Sequence, residues 1–552
     1  MGYLLPILLA LACFALAEEW VLVDARLPWV VPLFAFVPHV LGAVARRARG
    51  RGRNRLAGAL FLAISGSAPV LTFLALCVCG WHRSVREWTG SEGGLFSWPD
   101  FSVLAILAPF LLYQVSAIDA LARIATPNRQ IRAQVRELQL RIFVASVAPI
   151  LVFILMAAMV GVFEPLRIRI EGVALWYFSF GMLAVLTLLF ALPTIARNVW
   201  QTEPLVREPD RSLLRAVADK ASFRCRDLLV WRTGNHMTNA VIVGLGPRDR
   251  VVMFSDALLA QLDLRELAAV YAHEIGHAVH RHVPTFLAWA GAVCLGVDLL
   301  VTKLGLQEDW RGYLVLGAAL LLGYFAFGFV SRRVELQADL YAIDLLGDDE
   351  AMCSALRRLG GSLRDVTGWR HFSMSDRVRF LQRVSEDPKV GQKLHRGLKW
   401  FRWTGLFLFG IAAFAEGAQL LSSYPEDSFY VDLRLGRYPQ AVARADAHEL
   451  EPRTENLAER VSMLLTEGPM PEPSELALRA RAELTRGDGV AARDYLELGF
   501  LAGEEELLAP ALVLDSTLEG DADAAAIALE SVSDDWLGAL RPWLEAQSSS
   551  PR

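Results

Sequence analysis

Long apolar segments recur along this chain, at roughly 3–17, 21–44, 57–80, 101–121, 142–163, 174–193, 286–303, 312–330 and 403–422. No other feature constrains the fold so strongly. About 20 apolar residues in a helix cross the hydrocarbon core of a bilayer, and helices satisfy every backbone N–H and C=O there without outside partners. Of 552 residues, 54% are hydrophobic, and they concentrate before residue 200 and in three later segments. The first segment is short. Met1–Ala17 has no basic residues ahead of it, and Glu18-Glu19 is followed at once by another apolar run, so it reads as a retained span rather than a cleaved leader. The second contains Pro28, Pro32 and Pro38 and is expected to kink. Asp298, inside the seventh, reads as a residue facing water or protein within a bundle.

Arginines orient the set. Arg46, Arg47, Arg49, Arg51, Arg53 and Arg55 follow the second segment. Arg123, Arg129, Arg132, Arg136 and Arg141 follow the fourth, and Lys389, Lys393, Arg396, Lys399 and Arg402 precede the ninth. Counting every segment as a span puts all three clusters on one side, the cytoplasmic one. Residues 194–285 and 331–402 share that side, and the tail after Leu421 lies opposite, in the periplasm of a Gram-negative cell. The stretch 81–99 reads as an outside loop, and 200–220 as a connector leading into a helix. A formal net charge of −5 gives no reason to expect nucleic acid as a partner. Cys13, Cys77, Cys79, Cys225, Cys294 and Cys353 form neither a zinc-binding nor a disulfide pattern.

Between the apolar blocks, residues 223–256 alternate apolar runs with turn signals. Asp227–Trp231, Ala240–Val243 and Arg250–Phe254 read as a β-hairpin or small sheet. Ser255 or Asp256 can cap a short helix, and Asp263 the helix that follows. From Leu264 to His280 that helix carries His273-Glu274-Ile275-Gly276-His277. Residues four apart share a helical face, so both imidazoles can bind one Zn²⁺ while Glu274 reaches a water beside it as general base. Glu335 and Asp339 stand one turn apart further on. Glu335 can complete a His₂Glu site, and Asp339 can hydrogen-bond a ligating imidazole and fix its tautomer. His280 and His282 read as supporting or interfacial residues rather than ligands. The arrangement predicts a zinc peptidase centre with one Zn²⁺ per chain, acting on peptide bonds without a covalent nucleophile.

In this arrangement the sequence resembles the membrane zinc metalloproteases of the M48 class, the CAAX prenyl protease and HtpX-like enzymes. The resemblance covers about 195–385. Thr238-Asn239-Ala240, Gly244-Leu245-Gly246 and Arg250–Leu259 are similar to the family's edge-strand segment; then come His273, Glu274 and His277, two spans, and Glu335 with Asp339. The resemblance implies that the backbone at Asn239 and Ala240 aligns a peptide substrate as an added strand. It also implies that His371 or Arg377 approaches the active site, from a segment usually reading His-Pro-Ser in which Phe372 replaces the proline. Six apparent spans before the peptidase region are closer to the CAAX-protease plan, whose helices enclose an intramembrane chamber. Prenyl-protein specificity is not carried over.

Residues 424–552 have helical patterning, with breaks at Leu435-Gly436-Arg437-Tyr438, Arg486-Gly487-Asp488-Gly489 and Glu519-Gly520-Asp521-Ala522. This spacing suggests tetratricopeptide-like helical hairpins or an irregular helical domain, in either case able to bind protein substrates or partners. The expected fold is mainly α: a polytopic membrane helical bundle with a zincin-like metalloprotease domain containing a small β-sheet, plus a helical C-terminal domain. The expected organisation is a transmembrane region over 1–195, the peptidase domain over 196–402 interrupted by two spans, a last span over 403–422, and the tail over 423–552. The expected activity is integral-membrane endopeptidase, on membrane or membrane-associated protein substrates, in the bacterial inner membrane. A non-catalytic scaffold that recruits proteins through its tail, or a transporter, are the competing readings.

Overall fold

The computed structural model describes residues 6, 7, 9, 10, 13, 27–89, 102–306, 310–361, 365 and 370–549. They fall into two compact units, one of residues 1–161 and 183–416 and the other of 162–182 and 417–552. The chain is mainly helical. Among the described residues seven helices are long and apolar enough to cross a membrane, and an eighth arises if the pair Arg55–Ser65 and Ser67–Val78, bent by 51°, is one broken span. The expected span at 3–17 falls largely outside the described residues.

Several boundaries differ from the sequence reading, for one physical reason. Helices do not stop where the apolar run stops. Arg129–Gly161 begins a dozen or so residues before its membrane stretch, so the arginines expected in a loop lie on a helix. Arg46, Arg47 and Arg49 likewise ride on the last turns of Val37–Gly50. That helix follows a 3₁₀ segment, Pro28–Phe36, where Pro32 is interior, as the prolines there predict. The stretch expected as an outside loop opens with a helix, Trp81–Thr89.

The region after the sixth apolar segment starts from a four-stranded sheet. Its strands are β1 (Thr202–Pro204), β2 (Asp227–Trp231), β3 (Ala240–Val243) and β4 (Val251–Ser255), in spatial order β1-β2-β4-β3. β2 and β4 run parallel; the other two pairs are antiparallel. The expected hairpin or small sheet is found: β3 and β4 are consecutive antiparallel strands, and β2 adds to the other edge of β4 in parallel. The connector expected over 200–220 holds β1 and a helix, α1 (Asp210–Lys220).

All five residues of β4 are buried because both faces of the sheet are covered. Val252 and Phe254 join the core around α3, while Val251 and Met253 pack with Leu138 and Ala196 from the ends of two membrane helices. β4 runs into α2 (Asp256–Gln261), capped by Ser255, and then into α3 (Leu264–Val279). A capping box of Asp263 and Glu266 starts α3, satisfying two otherwise orphaned donors.

After α3, Arg281 takes a left-handed conformation and α4 (His282–Lys303) leaves toward its apolar run. α5 (Trp310–Leu346) is a single helix of 37 residues, carrying an apolar stretch first and Glu335 and Asp339 last. α6 (Asp349–Gly360) and α7 (Met374–Glu386) complete the core around α3. α8 (Pro388–Arg434) is again continuous, through the basic stretch and the last apolar run.

α3 and α5 meet at Gly276. A Cβ there would lie 3.1 Å from Tyr341 Cδ1 and 3.2 Å from Ala338 Cα. Only hydrogen in place of a side chain allows so close an approach, and Ala338 lies between Glu335 and Asp339 in sequence.

The second unit is helical throughout its tail. Its helices are Tyr438–Ala447, Pro452–Glu467, Pro473–Arg486, Gly489–Leu501, Leu508–Glu519, Ala522–Leu529 and Asp534–Ser549; the expected breaks near Gly436, Gly487 and Gly520 are present, and four others were not expected. Gly487 and Gly520 end their helices with φ of 85° and 81°, the left-handed cap that glycine adopts at least cost. Leu457, Val461, Leu476, Leu496 and Leu514 form its core. The helix Glu164–Gly172 belongs with this unit. There Ala174 N donates to Asp427, and Gly172 lies against Val431.

Candidate metal centre

Three side chains converge at the junction of α3 and α5. His273 Nε2 lies 3.2 Å from His277 Nε2 and 3.6 Å from Glu335 Oε2; His277 Nε2 lies 3.8 Å from Glu335 Oε1. These donor atoms all lie within 4.8 Å of one another, and among the described residues they make the one such cluster able to hold a metal ion. A tetrahedral zinc site with bonds of about 2.0–2.1 Å has edges between ligand atoms of about 3.3 Å. Two imidazoles and one carboxylate at these separations fit zinc, with a fourth position left for water or substrate. A spacing of four on α3 puts His273 and His277 on one face, and the crossing with α5 brings Glu335 to them.

Asp339, one turn beyond Glu335, is fully buried. Its Oδ1 lies 2.8 Å from His273 Nδ1. Arg377, from α7, is also buried and donates Nε–H to Asp339 Oδ2 at 2.8 Å and a second N–H to Oδ1. Its Nη1 stands 3.5 Å from Glu335 Oε2. Burial works against the Arg377 charge, and the carboxylates of Asp339, Glu335 and Glu274 outweigh it, holding its pKa above the usual value. The arginine is therefore a permanent cation behind the cluster.

His371 approaches from the loop before α7. Its Nδ1 is 3.3 Å from Glu335 Oε1, and its ring is about half exposed. Glu274 follows His273 on α3, outside the exposed apolar run of α4. Burial pushes its carboxyl up to about 7, and nearby Glu335 adds to the rise.

Asn239 and Ala240 sit at the start of β3, which is an edge of the sheet. Asn239 is exposed; its N–H donates to Ser255 Oγ and its carbonyl accepts from Ser255 N, both at 2.9 Å. Ala240 and Ile242 face the same core as α3. The loop ahead of this strand is tied to Asp256, which accepts from the backbone N–H groups of Thr233, Gly234 and Asn235 and from the Thr233 hydroxyl. Partial burial opposes the Asp256 charge, but these donors prevail and hold its pKa below the ordinary aspartate value.

Behind His277, the supporting residue His282 is joined by two neighbours, Gln337 and His395, that were not assigned from sequence. His282 Nδ1 is 2.9 Å from His277 Nδ1, His282 Nε2 is 2.9 Å from Gln337 Oε1, and Gln337 Nε2 is 2.8 Å from His395 Nδ1. His282 read only as a supporting residue, and no local signal marks Gln337 or His395, whose proximity depends on how α8 packs.

Residues 210–428 match the model of Peptidase family M48. Among curated proteins, the chain is 30% identical over 156 residues to a "Protease HtpX homolog" of Methylibium petroleiphilum, covering 27% of this chain and 54% of that protein. It is 32% identical over 189 residues to a "Protease HtpX homolog" of Paenarthrobacter aurescens, covering 31% and 65%. The chain thus spans between half and two thirds of the length of these two relatives. Among solved structures, the crystal structure of S. mikatae Ste24p is similar at 15% identity and a TM-score of 0.42, covering 64% of this chain and 99% of that one. The His273, His277 and Glu335 cluster lies inside the segment of this polytopic membrane chain that is similar to peptidase family M48.

Proposed function

We propose that this chain is an integral-membrane zinc endopeptidase, cleaving peptide bonds of membrane or membrane-associated proteins. The observation that carries it is the convergence of His273 Nε2, His277 Nε2 and Glu335 on one point, with Glu274 beside them. One zinc ion per chain, when bound there, supplies Lewis acidity toward a water molecule and the scissile carbonyl. Glu274 takes the proton of the attacking water on a carboxylate oxygen and delivers it to the leaving amine. Asp339 orients His273, and Arg377 holds Asp339 in place. His371, half exposed beside Glu335, is assigned to stabilise the negative charge that develops on the substrate oxygen. The edge strand β3, from Asn239 and Ala240 onward, offers main-chain groups to an extended peptide.

The relatives' bacterial origins and the basic clusters support a bacterial inner-membrane location with the peptidase region facing the cytoplasm and the tail on the other side. The tail from 423 to 552 is proposed to bind protein substrates or partners.

The test is zinc content and casein or membrane-protein cleavage by the detergent-purified chain, beside its Glu274→Gln variant. Zinc in both, with cleavage lowered at least ~100-fold in the variant, is the expected result. Equal cleavage by both overturns the role of Glu274, and a parent free of zinc overturns the metal centre.

A further inference from the structure

The two histidines of the cluster have different groups behind them. His273 Nδ1 faces the Asp339 carboxylate, which can only accept, so that ring carries its proton on Nδ1 and offers a lone pair at Nε2. His277 Nδ1 faces a second imidazole, His282 Nδ1, at 2.9 Å. Of two ring nitrogens sharing one proton, either can be the donor. The pair alone does not fix which nitrogen of His277 remains free.

Gln337 fixes it. Its carbonyl lies 2.9 Å from His282 Nε2, and a carbonyl only accepts, so the proton of His282 is on Nε2 and its Nδ1 is a lone pair. The shared proton then belongs to His277 Nδ1, leaving His277 Nε2 free to ligate. Gln337 Nε2 donates to His395 Nδ1 at 2.8 Å. His395 borders a cavity of about 200 Å³, where water can satisfy its remaining N–H. Turning the amide over reverses every link and puts a proton on His277 Nε2, which cannot then bind a metal. The ligand role of His277 and the orientation of one amide are therefore a single choice.

We propose that His282 and Gln337 are positioning residues that set the tautomer of His277, a neutral counterpart to the carboxylate behind His273. The proposal rests on the metal-centre reading above. Its test compares zinc dissociation constants, by chelator competition, for the full-length detergent-solubilised parent, Gln337→Glu and Gln337→Leu. A carboxylate still accepts from His282 Nε2, so Gln337→Glu should stay within about threefold of the parent, while Gln337→Leu, with no acceptor, should bind about 10–100-fold more weakly. A merely structural glutamine predicts the opposite order, because burying a carboxylate costs more than burying leucine. Equal affinity in Gln337→Leu and the parent, or weaker binding by Gln337→Glu than by Gln337→Leu, overturns the relay alone. A parent without zinc removes the metal centre and the relay with it.

Discussion

Asp339 Oδ1 lies 2.8 Å from His273 Nδ1 while the same carboxylate is forked by Arg377, so one buried acid serves a metal-site imidazole and a buried cation together. Neither interaction survives its loss. Asp339→Ala should weaken zinc binding about 10–100-fold. It should also destabilise the chain by about 3 kcal/mol, because Arg377 is left buried without its main partner. Chelator competition and thermal melting of the zinc-free protein check the two effects separately. A melting point unchanged by the substitution would show that Arg377 does not need Asp339.

Gly276→Ala tests the contact between the helices. In an exposed helix interior this change stabilises by about 1 kcal/mol. Here the new methyl meets Ala338 Cα at 3.2 Å, a backbone atom that cannot rotate aside. α5 must shift by a few tenths of an ångström, carrying Glu335 away from the two histidines. The expected outcome is a lower melting point and several-fold weaker zinc binding; a higher melting point with zinc affinity unchanged would refute it.

Asp256 gives the stability a pH dependence that is separate from the metal. Its folded pKa is depressed below the unfolded value of about 3.9. A depressed acid contributes stability above the unfolded pKa and loses it as pH falls through the folded one. The melting-point gap between parent and Asp256→Ala should therefore be constant above about pH 5 and close below about pH 4. A gap that widens on acidification would contradict the assignment of Thr233, Gly234 and Asn235 as its donors.

Much of the centre was legible because its spacing is helical. Residues four apart on one helix must share a face, and two such pairs, His273 with His277 and Glu335 with Asp339, needed only one close crossing to meet. The segments of β2, β3 and β4 were equally plain, since each is an apolar run between turn signals. β1 was not: it has three residues, two of them exposed, and ends in Pro204, so neither burial nor propensity marks it. The helix ends at Arg129 and Arg434 were missed because hydropathy reports where the membrane is, not where backbone hydrogen bonding stops. Gln337 was invisible for a different reason. Its partners come from α4 and α8, and a glutamine two residues from a carboxylate carries no pattern of its own.

α5 has one more consequence. The apolar run read over 312–330 and the carboxylate of Glu335 belong to one unbroken helix. Glu335 is five positions beyond Val330, so at about 1.5 Å per residue its carboxylate stands no more than ~8 Å along the axis from the end of that run. A rod of this kind works as a depth gauge. Under the proposed endopeptidase function, a scissile bond is served within about a nanometre of the end of that apolar run, and a polypeptide whose cleavage point lies farther out must first be drawn down to it.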